Sequence, residues 1–394
     1  MKKREVYLDN AATTPVDAAV FKKMLPYFSE KYGNPSSVHK IGDQARQGVE
    51  KARQQVASFL NCLPDEIYFT AGATESDNWI INGIVDIFRK DNSDKPHLVT
   101  LVFEHKAILE PIRVLEKRGL IEVNFLPVSK DGLIEVKEVE KAIKKNTCLV
   151  SIMYANSEIG TVQPISQIGN LISQLNQKRK QRIVFHTDAV QAVNYLNCDV
   201  NNLNVDALSL SGHKIYGPKG IGALYLKKRT LITSLIRGGG HEKGKRSGTE
   251  NVPGIVGLGE ALNLVAKRKN DGTKIKKLRN KLITGILRDI PDSQLNGSLE
   301  YRLPSNANFS FKGVEGEGII IALSEQGIYA ATGSACASHS LKPSHVLTAI
   351  GLSDEQAHAS VRFTLGRQTT ESDINYILEV LPKVIKRLRL ISGR

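Results

Sequence analysis

The chain has few cysteines and lacks the long apolar stretches of a membrane protein. Its four cysteines, Cys62, Cys148, Cys198 and Cys336, lie far apart and form no Cys-x-x-Cys pair, which favours a reducing compartment. No apolar run approaches the roughly 18 residues that are needed to cross a bilayer. The basic start at residues 1–4 is not followed by the apolar segment of a signal peptide. We therefore expect a soluble cytoplasmic protein without a membrane partner.

The composition is that of a globular protein. Of 394 residues, 41% are hydrophobic and 24% are charged, which excludes a disordered, collagen-like or disulfide-stapled chain, and the length predicts two or three domains. The net charge of +14 could attract nucleic acid or acidic proteins. The basic residues, however, lie in helix-like segments without interleaved aromatics, so we interpret them as a solvated surface and do not expect direct nucleic-acid binding.

Short strand-like runs alternate with helical stretches from about residue 55 to 230. The helical stretches include 76–88 and 109–117. The predicted strands are 66–70, 97–102, 122–126, 148–153, 183–186, 207–211 and 222–226. This alternation predicts an α/β fold, with a large, mostly parallel seven-stranded sheet that carries helices on both faces.

The pattern changes after a glycine-rich stretch that ends near residue 254. A long basic helix over 257–288, strands at 306–311 and 328–331 and a last helix over 373–390 indicate a smaller α+β domain. We expect residues 16–260 to form the large domain. Residues 1–15 and 261–394 then form the small domain, which carries Cys336.

Four polar clusters directly follow predicted strands, where the ligands of a parallel sheet bind. The cluster 211–214 ends in Lys214, which is either a surface residue or an amine that forms Schiff bases. Asp188 is either a helix cap or the partner of a pyridinium nitrogen. The cluster 72–77 resembles a capping box but could equally seat a phosphate at a helix amino end. His105 is either a core histidine or a ring that stacks on a cofactor.

Each of these signals is weak alone, but their joint order is typical of proteins that bind pyridoxal 5′-phosphate. With these residues, the chain resembles the NifS/IscS-like cysteine desulfurases of the fold-type I, class V aminotransferase group. The resemblance runs from residues 7–15 to residues 362–367 and so covers nearly the whole chain. Its most specific motifs are Gly-Ala-Thr-Glu-Ser at 72–76, Ser-Gly-His-Lys at 211–214 and Gly-Ser-Ala-Cys at 333–336.

The resemblance implies a role for each residue of the cofactor site. Lys214 would carry pyridoxal 5′-phosphate, Asp188 would face its pyridine nitrogen, and His105 would stack on the ring and take part in catalysis. Gln191 would approach the ring hydroxyl. The phosphate would be bound by Ala73, Thr74, Ser211 and His213.

The resemblance also implies a homodimer and a substrate site. Thr249 resembles the phosphate ligand that the partner subunit supplies in this family. Arg362 matches the arginine that pairs with the substrate carboxylate, a task suited to its planar fork, and Asn34 matches a residue near the same carboxylate. In the 154–160 motif, Ser157 stands where the family usually has asparagine, so the contact of that residue to the cofactor could be lost, bridged by water or taken over by the neighbouring Asn156.

Cys336 is the candidate nucleophile. Its small, polar neighbours predict a loop, and a thiol that collects sulfur and carries it away has to move. Cys62, Cys148 and Cys198 are interpreted as structural. The spacing from Cys336 to His339 and His345 could ligate zinc, but no second cysteine pair accompanies it, and we expect no metal. The glycine-rich 239–245 stretch lacks the Ser or Thr of a P-loop at the next position.

We therefore expect a cysteine desulfurase that converts L-cysteine to L-alanine. It would pass the sulfur as a persulfide to an acceptor protein, for iron–sulfur cluster assembly or tRNA thiolation. One alternative is a selenocysteine lyase or a related class V enzyme, including an aminotransferase. A second alternative is a sulfur-relay module that binds RNA or proteins through its basic surface.

Overall fold

The computed structural model describes residues 4–268, 271–333 and 342–391. Within these ranges, the strands are β1 (Val6–Tyr7), β2 (Ile67–Thr70), β3 (His97–Leu101), β4 (Glu122–Leu126), β5 (Thr147–Ser151), β6 (Val184–Asp188), β7 (Ala207–Ser211), β8 (Gly222–Leu226), β9 (Ser293–Leu295), β10 (Asn306–Phe311), β11 (Ile328–Tyr329) and β12 (Ser360–Thr364). The helices are α1 (Ala18–Met24), α2 (Pro26–Ser29), α3 (Lys40–Leu60), α4 (Ala73–Asp91), α5 (Lys106–Lys117), α6 (Val136–Ala142), α7 (Ile165–Asn176), α8 (Val200–Leu203), α9 (Val252–Lys267), α10 (Asp271–Asp289), α11 (Gly316–Glu325), α12 (His345–Ala349), α13 (Asp354–His358) and α14 (Glu371–Ile391).

A seven-stranded sheet forms the centre of the fold, with the strand order β2-β8-β7-β6-β5-β3-β4. β8 runs antiparallel to both of its neighbours, and the other six strands share one direction. β3, β5, β7 and β8 are buried along their whole length, as expected for strands covered on both faces. The predicted mostly parallel sheet is therefore confirmed.

Helices cover both faces of this sheet because successive strand residues point to opposite sides. Leu98 packs in one cluster with α4, whose Ile80, Ile84 and Phe88 repeat at helical spacing. The next residue, Val99, belongs to the opposite cluster, which includes side chains of α3 and α9. Burial of each such large side chain contributes roughly 1.5–3 kcal/mol to folding.

A second, smaller unit is built from β1, β9–β12, α10, α11 and α14. β12, β10 and β9 form an antiparallel sheet, and β1 pairs with β11. Val6 and Leu8 pack in one apolar cluster with residues between 275 and 385, so the first strand joins the chain's last third. Val346 and Ala357, on α12 and α13, instead join the cluster of the large sheet. A division near residue 260 stays our proposal for the domain boundary.

The single helix predicted over 257–288 is wrong. α9 ends at Lys267, and Arg268 has dihedral angles outside the helical region (φ −105°, ψ 46°). The side chain of Arg268 binds Asp17, with Nη1 3.1 Å from Oδ2. Within the described ranges, no helix is long and apolar enough to span a membrane.

Candidate active site

A cavity of about 890 Å³ opens at the edge of the large sheet where the six co-directional strands end. This edge gathers polar residues because parallel strands deliver their carboxyl ends to one place. The predicted site residues that line the cavity are Ala73, Thr74, His105, Asp188, Gln191, Ser211, His213, Lys214 and Arg362. The tertiary structure thus brings together residues separated by almost 300 positions in the chain.

Lys214 ends a short 3₁₀ turn that directly follows β7. Its Nζ donates hydrogen bonds to the carbonyl oxygens of Ala11 and Ala12, both at 2.6 Å. Gln191 Nε2 donates to the same Ala11 oxygen at 3.1 Å. Lys214 is therefore a cavity residue, and the surface alternative does not apply.

Asp188 is the last residue of β6 and is 8% exposed. Its Oδ1 accepts the backbone N–H of Val190 at 2.9 Å, so the carboxylate supports the turn after the strand while it lines the cavity. Burial raises the pKa of Asp188, and its interactions with His105, the Val190 N–H and Lys214 oppose that rise. A cationic partner in the cavity would therefore stabilise the charged form of this carboxyl group.

His105 precedes α5 and acts as its N-cap. Its Nδ1 accepts the backbone N–H of Ala107 at 3.1 Å, so this nitrogen carries no proton and the neutral ring is protonated at Nε2. Burial lowers the pKa of His105, against the effect of Asp188. The cavity therefore holds a neutral, fixed imidazole.

The amino end of α4 lines the opposite part of the cavity. The helix begins at Ala73, and its N-cap, Gly72, makes no side-chain capping hydrogen bond. The capping-box alternative for Thr74 and Asp77 does not apply, because both residues lie inside the helix, beyond the capping position. The first N–H groups of a 19-residue helix are therefore available beside the cavity, together with the positive end of its dipole.

Ser211 and His213 face the same cavity from the end of β7. His213 Nδ1 lies 3.2 Å from Thr13 Oγ1. Burial, followed by the neighbouring charges of Lys214 and Lys219, lowers the pKa of His213 to about 4. His213 is therefore neutral at pH 7 and contributes a hydrogen bond instead of a charge.

Arg362 reaches the cavity from β12 of the smaller unit. Its Nη2 lies 2.7 Å from Asp9 Oδ1, and its Nη1 donates to the carbonyl oxygen of Ser157 at 3.2 Å. Ser157 lines the cavity. Asn156 is buried and its amide is used internally, with Oδ1 accepting the N–H groups of the two residues after Ser157. Ser157, and not Asn156, therefore faces the cavity.

Two predicted site residues that the structure describes do not line this cavity. Thr249 lies in an adjoining cavity of about 130 Å³. Asn34 is exposed, and its Oδ1 accepts the backbone N–H of Ser36 at 2.9 Å. Cys336 lies outside the described residues.

The described residues on either side of Cys336 lie near the cavity. Ser344 Oγ donates to Glu158 Oε2 at 2.5 Å. On the other side, a Cβ added to Gly333 would lie 2.6 Å from the same oxygen. Glu158 directly follows the cavity residue Ser157, so the described residues Gly333 and Ser344, on either side of Cys336, lie beside the site. No pattern in the sequence indicated that Glu158 lies beside both Gly333 and Ser344.

Two buried carboxyl groups beside the site were not predicted. Asp77 is fully buried, and both of its oxygens lack hydrogen-bond partners in the described part of the chain. Glu104 Oε1 accepts the N–H of Met153 at 2.7 Å. Burial, reinforced by the charge of Asp188, raises the pKa of both well above the ordinary range. Only one sequence signal could have shown that Asp77 is buried: it is a polar residue at a helical position of α4 that faces the apolar sheet.

The cysteines of the described chain are unlike a catalytic thiol. Cys148 and Cys198 are buried, and Cys62 is half-buried. Burial raises the pKa of each thiol to about 12, which disfavours the reactive thiolate. Among the described residues, no group of three or more His, Cys, Asp or Glu side chains could hold a metal ion.

The fold and the cavity define a fold-type I transferase, with a lysine beyond one strand of a mostly parallel sheet and an aspartate at the end of its neighbour. The chain belongs to the aminotransferase class-V family, whose model matches residues 6–377. It is similar to the cysteine desulfurase IscS of Clostridium botulinum (strain Hall), with 48% identity over 392 residues, 99% of this chain and 96% of that protein.

Solved structures agree with this assignment. A NifS-like protein has a TM-score of 0.89 and 37% identity, covering 98% of this chain and 100% of that one. SspA in complex with cysteine has a TM-score of 0.79 and 38% identity, covering 93% and 100%. The predicted resemblance to the NifS/IscS-like cysteine desulfurases is confirmed.

Proposed function

We propose that the protein is a cysteine desulfurase, which converts L-cysteine to L-alanine and keeps the sulfur as a persulfide on Cys336. The observation that carries this proposal is the single cavity shared by Lys214, Asp188 and Arg362. Such a cavity offers an amine for the cofactor, a carboxylate for a ring nitrogen and a cation for the substrate carboxylate. The cysteine desulfurases among its relatives support the same activity.

The cavity fits pyridoxal 5′-phosphate. The uncapped amino end of α4 and the hydroxyl of Ser211 suit its phosphate, and Lys214 suits its aldehyde. Asp188 keeps one carboxylate oxygen beyond the bond to Val190 for the pyridine nitrogen. When bound, the cofactor supplies an electron sink for the bonds at the substrate's α-carbon.

The chain's own residues would divide the remaining work. Arg362 binds the carboxylate of L-cysteine, and neutral His105 lies against the ring site and excludes water. The Lys214 amine takes the α-proton of the substrate and returns a proton to the product. The Cys336 thiolate attacks the substrate sulfur, so that a sulfur–sulfur bond forms and the carbon–sulfur bond breaks. The electron pair of that bond passes to the β-carbon, which takes up the proton that the Cys336 thiol gave up, and alanine leaves.

The test is Cys336→Ala, with Cys62→Ala as the matched control because Cys62 is half-buried and does not line the cavity. Cys336→Ala should retain the visible absorption of the bound cofactor and lose sulfide release and alanine formation from L-cysteine. Cys62→Ala should keep both. Full desulfurase activity in Cys336→Ala would refute the role of this thiol.

The alternatives predict other outcomes. A selenocysteine lyase would turn over L-selenocysteine and leave L-cysteine unchanged, and an aminotransferase would need a keto-acid acceptor. A sulfur-relay module would bind RNA in a salt-sensitive manner without any visible absorption band. The assembled cavity favours the enzyme over the binding module.

We further propose a cytoplasmic homodimer. Four large apolar side chains between residues 21 and 32 are exposed in the single chain, namely Phe21, Leu25, Phe28 and Tyr32, and such a patch favours burial against a partner. Thr249, which lies beside the cavity but not in it, would then complete the phosphate site of the partner. The sulfur acceptor is an iron–sulfur scaffold or a tRNA thiolation enzyme, and capture of persulfide acceptors from the native cytosol would identify it.

A further inference from the structure

We propose that Asp9 is a positioning residue for the substrate, which acts by orienting Arg362. This inference rests on the proposed function, because it assumes that Arg362 binds the carboxylate of L-cysteine. Asp9 belongs to the smaller unit and follows β1, where it forms a bridge with Thr364 of β12. It therefore approaches Arg362, on the same β12, from a neighbouring strand.

The contact between Asp9 and Arg362 is short and largely shielded from water. Arg362 Nη2 lies 2.7 Å from Asp9 Oδ1, and the side chains are 3% and 21% exposed. The Ser157 carbonyl oxygen accepts from Nη1 at 3.2 Å. The guanidinium is therefore held from two sides before any substrate arrives.

The remaining donors of Arg362 suit one carboxylate. A guanidinium has five N–H groups, and Asp9 and Ser157 use one on each terminal nitrogen. A second N–H is left on Nη1 and on Nη2, which matches the two oxygens of a carboxylate in a fork. The buried Nε has no partner within the described chain. Without Asp9, the side chain would lose its charged contact and could turn toward another acceptor.

Asp9 also begins the segment that contacts the lysine end of the site. The carbonyl oxygens of Ala11 and Ala12 accept from Lys214 Nζ, and Thr13 Oγ1 lies 3.2 Å from His213 Nδ1. Residues 9–14 thus connect the arginine of the smaller unit to the lysine of the larger one. This continuity gives Asp9 a fixed backbone from which to orient Arg362.

The experiment compares L-cysteine with L-cysteine methyl ester, which has no free carboxylate, by sulfide release from the holoenzyme. Asp9→Ala should raise KM for L-cysteine about tenfold to a hundredfold, the range expected for a lost charge-assisted hydrogen bond, and change kcat less. Its KM for the methyl ester should equal that of the unaltered enzyme. Asp9→Asn keeps an oxygen acceptor for Arg362 and should recover most of the loss.

Two further variants keep the test decisive. Asp9→Glu, which moves the carboxylate by one methylene, should also raise KM for L-cysteine, and it replaces Asp9→Ala if that variant does not fold. Asp373→Asn removes the partner of Arg4, 3.2 Å away at the surface of the same unit, and should not change KM.

The outcomes separate this inference from the proposed function. An unchanged KM for L-cysteine in the Asp9 variants, an equal rise for both substrates, or an Asp9→Asn as impaired as Asp9→Ala would overturn the positioning role. Arg362→Gln tests the function itself. If Arg362→Gln raises KM for L-cysteine while Asp9→Ala does not, only the role of Asp9 is wrong. If Arg362→Gln has no effect either, the assignment of Arg362 fails as well.

Discussion

Arg53 on α3 forms a buried, bidentate ion pair with Glu242, which lies 189 residues later in the chain. Arg53 Nη1 lies 2.9 Å from Glu242 Oε2, and Nη2 lies 2.8 Å from Oε1. Glu242 Oε2 also accepts the backbone N–H of Phe69. Glu242 and Lys243 both have positive φ angles, 45° and 60°, which are unfavourable for residues with side chains. The ion pair therefore holds a strained turn against β2, next to the loop that carries Thr249.

We expect Glu242→Gln to lower the free energy of unfolding by about 3–5 kcal/mol, since it leaves the Arg53 charge buried without its partner. Glu50→Gln is the matched control. Glu50 binds the same Arg53 at 3.2 Å but is 53% exposed, so its loss should cost less than about 1 kcal/mol. Urea unfolding of the holoenzyme variants measures both, and equal losses would contradict the assigned role of the buried pair.

Gly160, in the motif that presents Ser157, should not tolerate a side chain. Its φ is +74°, and an added Cβ would lie 2.7 Å from the Asn306 side chain. Gly119 has a similar φ of +70° but no atom within 4 Å of such a Cβ. Gly119→Ala should therefore cost only the backbone strain of about 1–2 kcal/mol, while Gly160→Ala should cost clearly more. Thermal unfolding of the two variants checks this, and equal shifts of Tm would show that the Asn306 contact is irrelevant.

His186 and His213 should each make the fold less stable as the pH falls from about 6.5 to 4, a contribution that buried carboxyls with raised pKa values, such as Asp77 and Glu104, oppose. Burial lowers the pKa of His186 to about 3 and that of His213 to about 4, whereas the unfolded value is about 6.5. Below pH 6.5 the unfolded chain takes up protons that the folded chain does not, so acidification favours unfolding, by about 1.4 kcal/mol per pH unit for each full proton of difference.

His186→Asn isolates one of these contributions. The His186 ring contacts Ser151 Oγ at 2.9 Å and Ser209 Oγ at 3.0 Å, so this variant is less stable at pH 7. Its stability should nevertheless depend less steeply on pH between 6.5 and 4. Urea unfolding across this pH range gives the slope, and an unchanged slope would mean that His186 is not held neutral by burial.

Mixing two inactive or weakened variants should test the exchange of Thr249 between subunits. Under the proposed roles, Lys214→Ala should abolish attachment of the cofactor, and Thr249→Ala should weaken its phosphate site. In a mixed dimer, a site with its own Lys214 receives an intact Thr249 if this residue acts across the interface. Remixed subunits should then regain one fully functional site per dimer, measured as cofactor retention and alanine formation. No gain beyond the average of the two parents would place Thr249 in its own subunit's site.

Much of the large sheet was predictable because each strand is a short apolar run. Such a run can be recognised as a strand from the local sequence alone. The predicted residues 207–211 and 222–226 match β7 and β8. The break between α9 and α10 was not predictable, because Arg268 leaves the helical conformation to bind Asp17, far away in the chain. The two alternatives for the cluster 72–77 could not be separated from the sequence, because the pattern of residue types does not distinguish the position before a helix from a position inside it.

The sequence by itself determined the order of the elements and the residue types at the strand ends, since hydrophobic periodicity and the polar clusters are local properties. Only the tertiary structure decided that Asp9 holds Arg362, that Ser157 faces the cavity while Asn156 turns inward, and that Asp77 and Glu104 are buried beside Asp188. These relationships depend on pairings between strands and units that lie hundreds of residues apart, and on which side of a turn a side chain leaves the backbone. No local pattern contains that information.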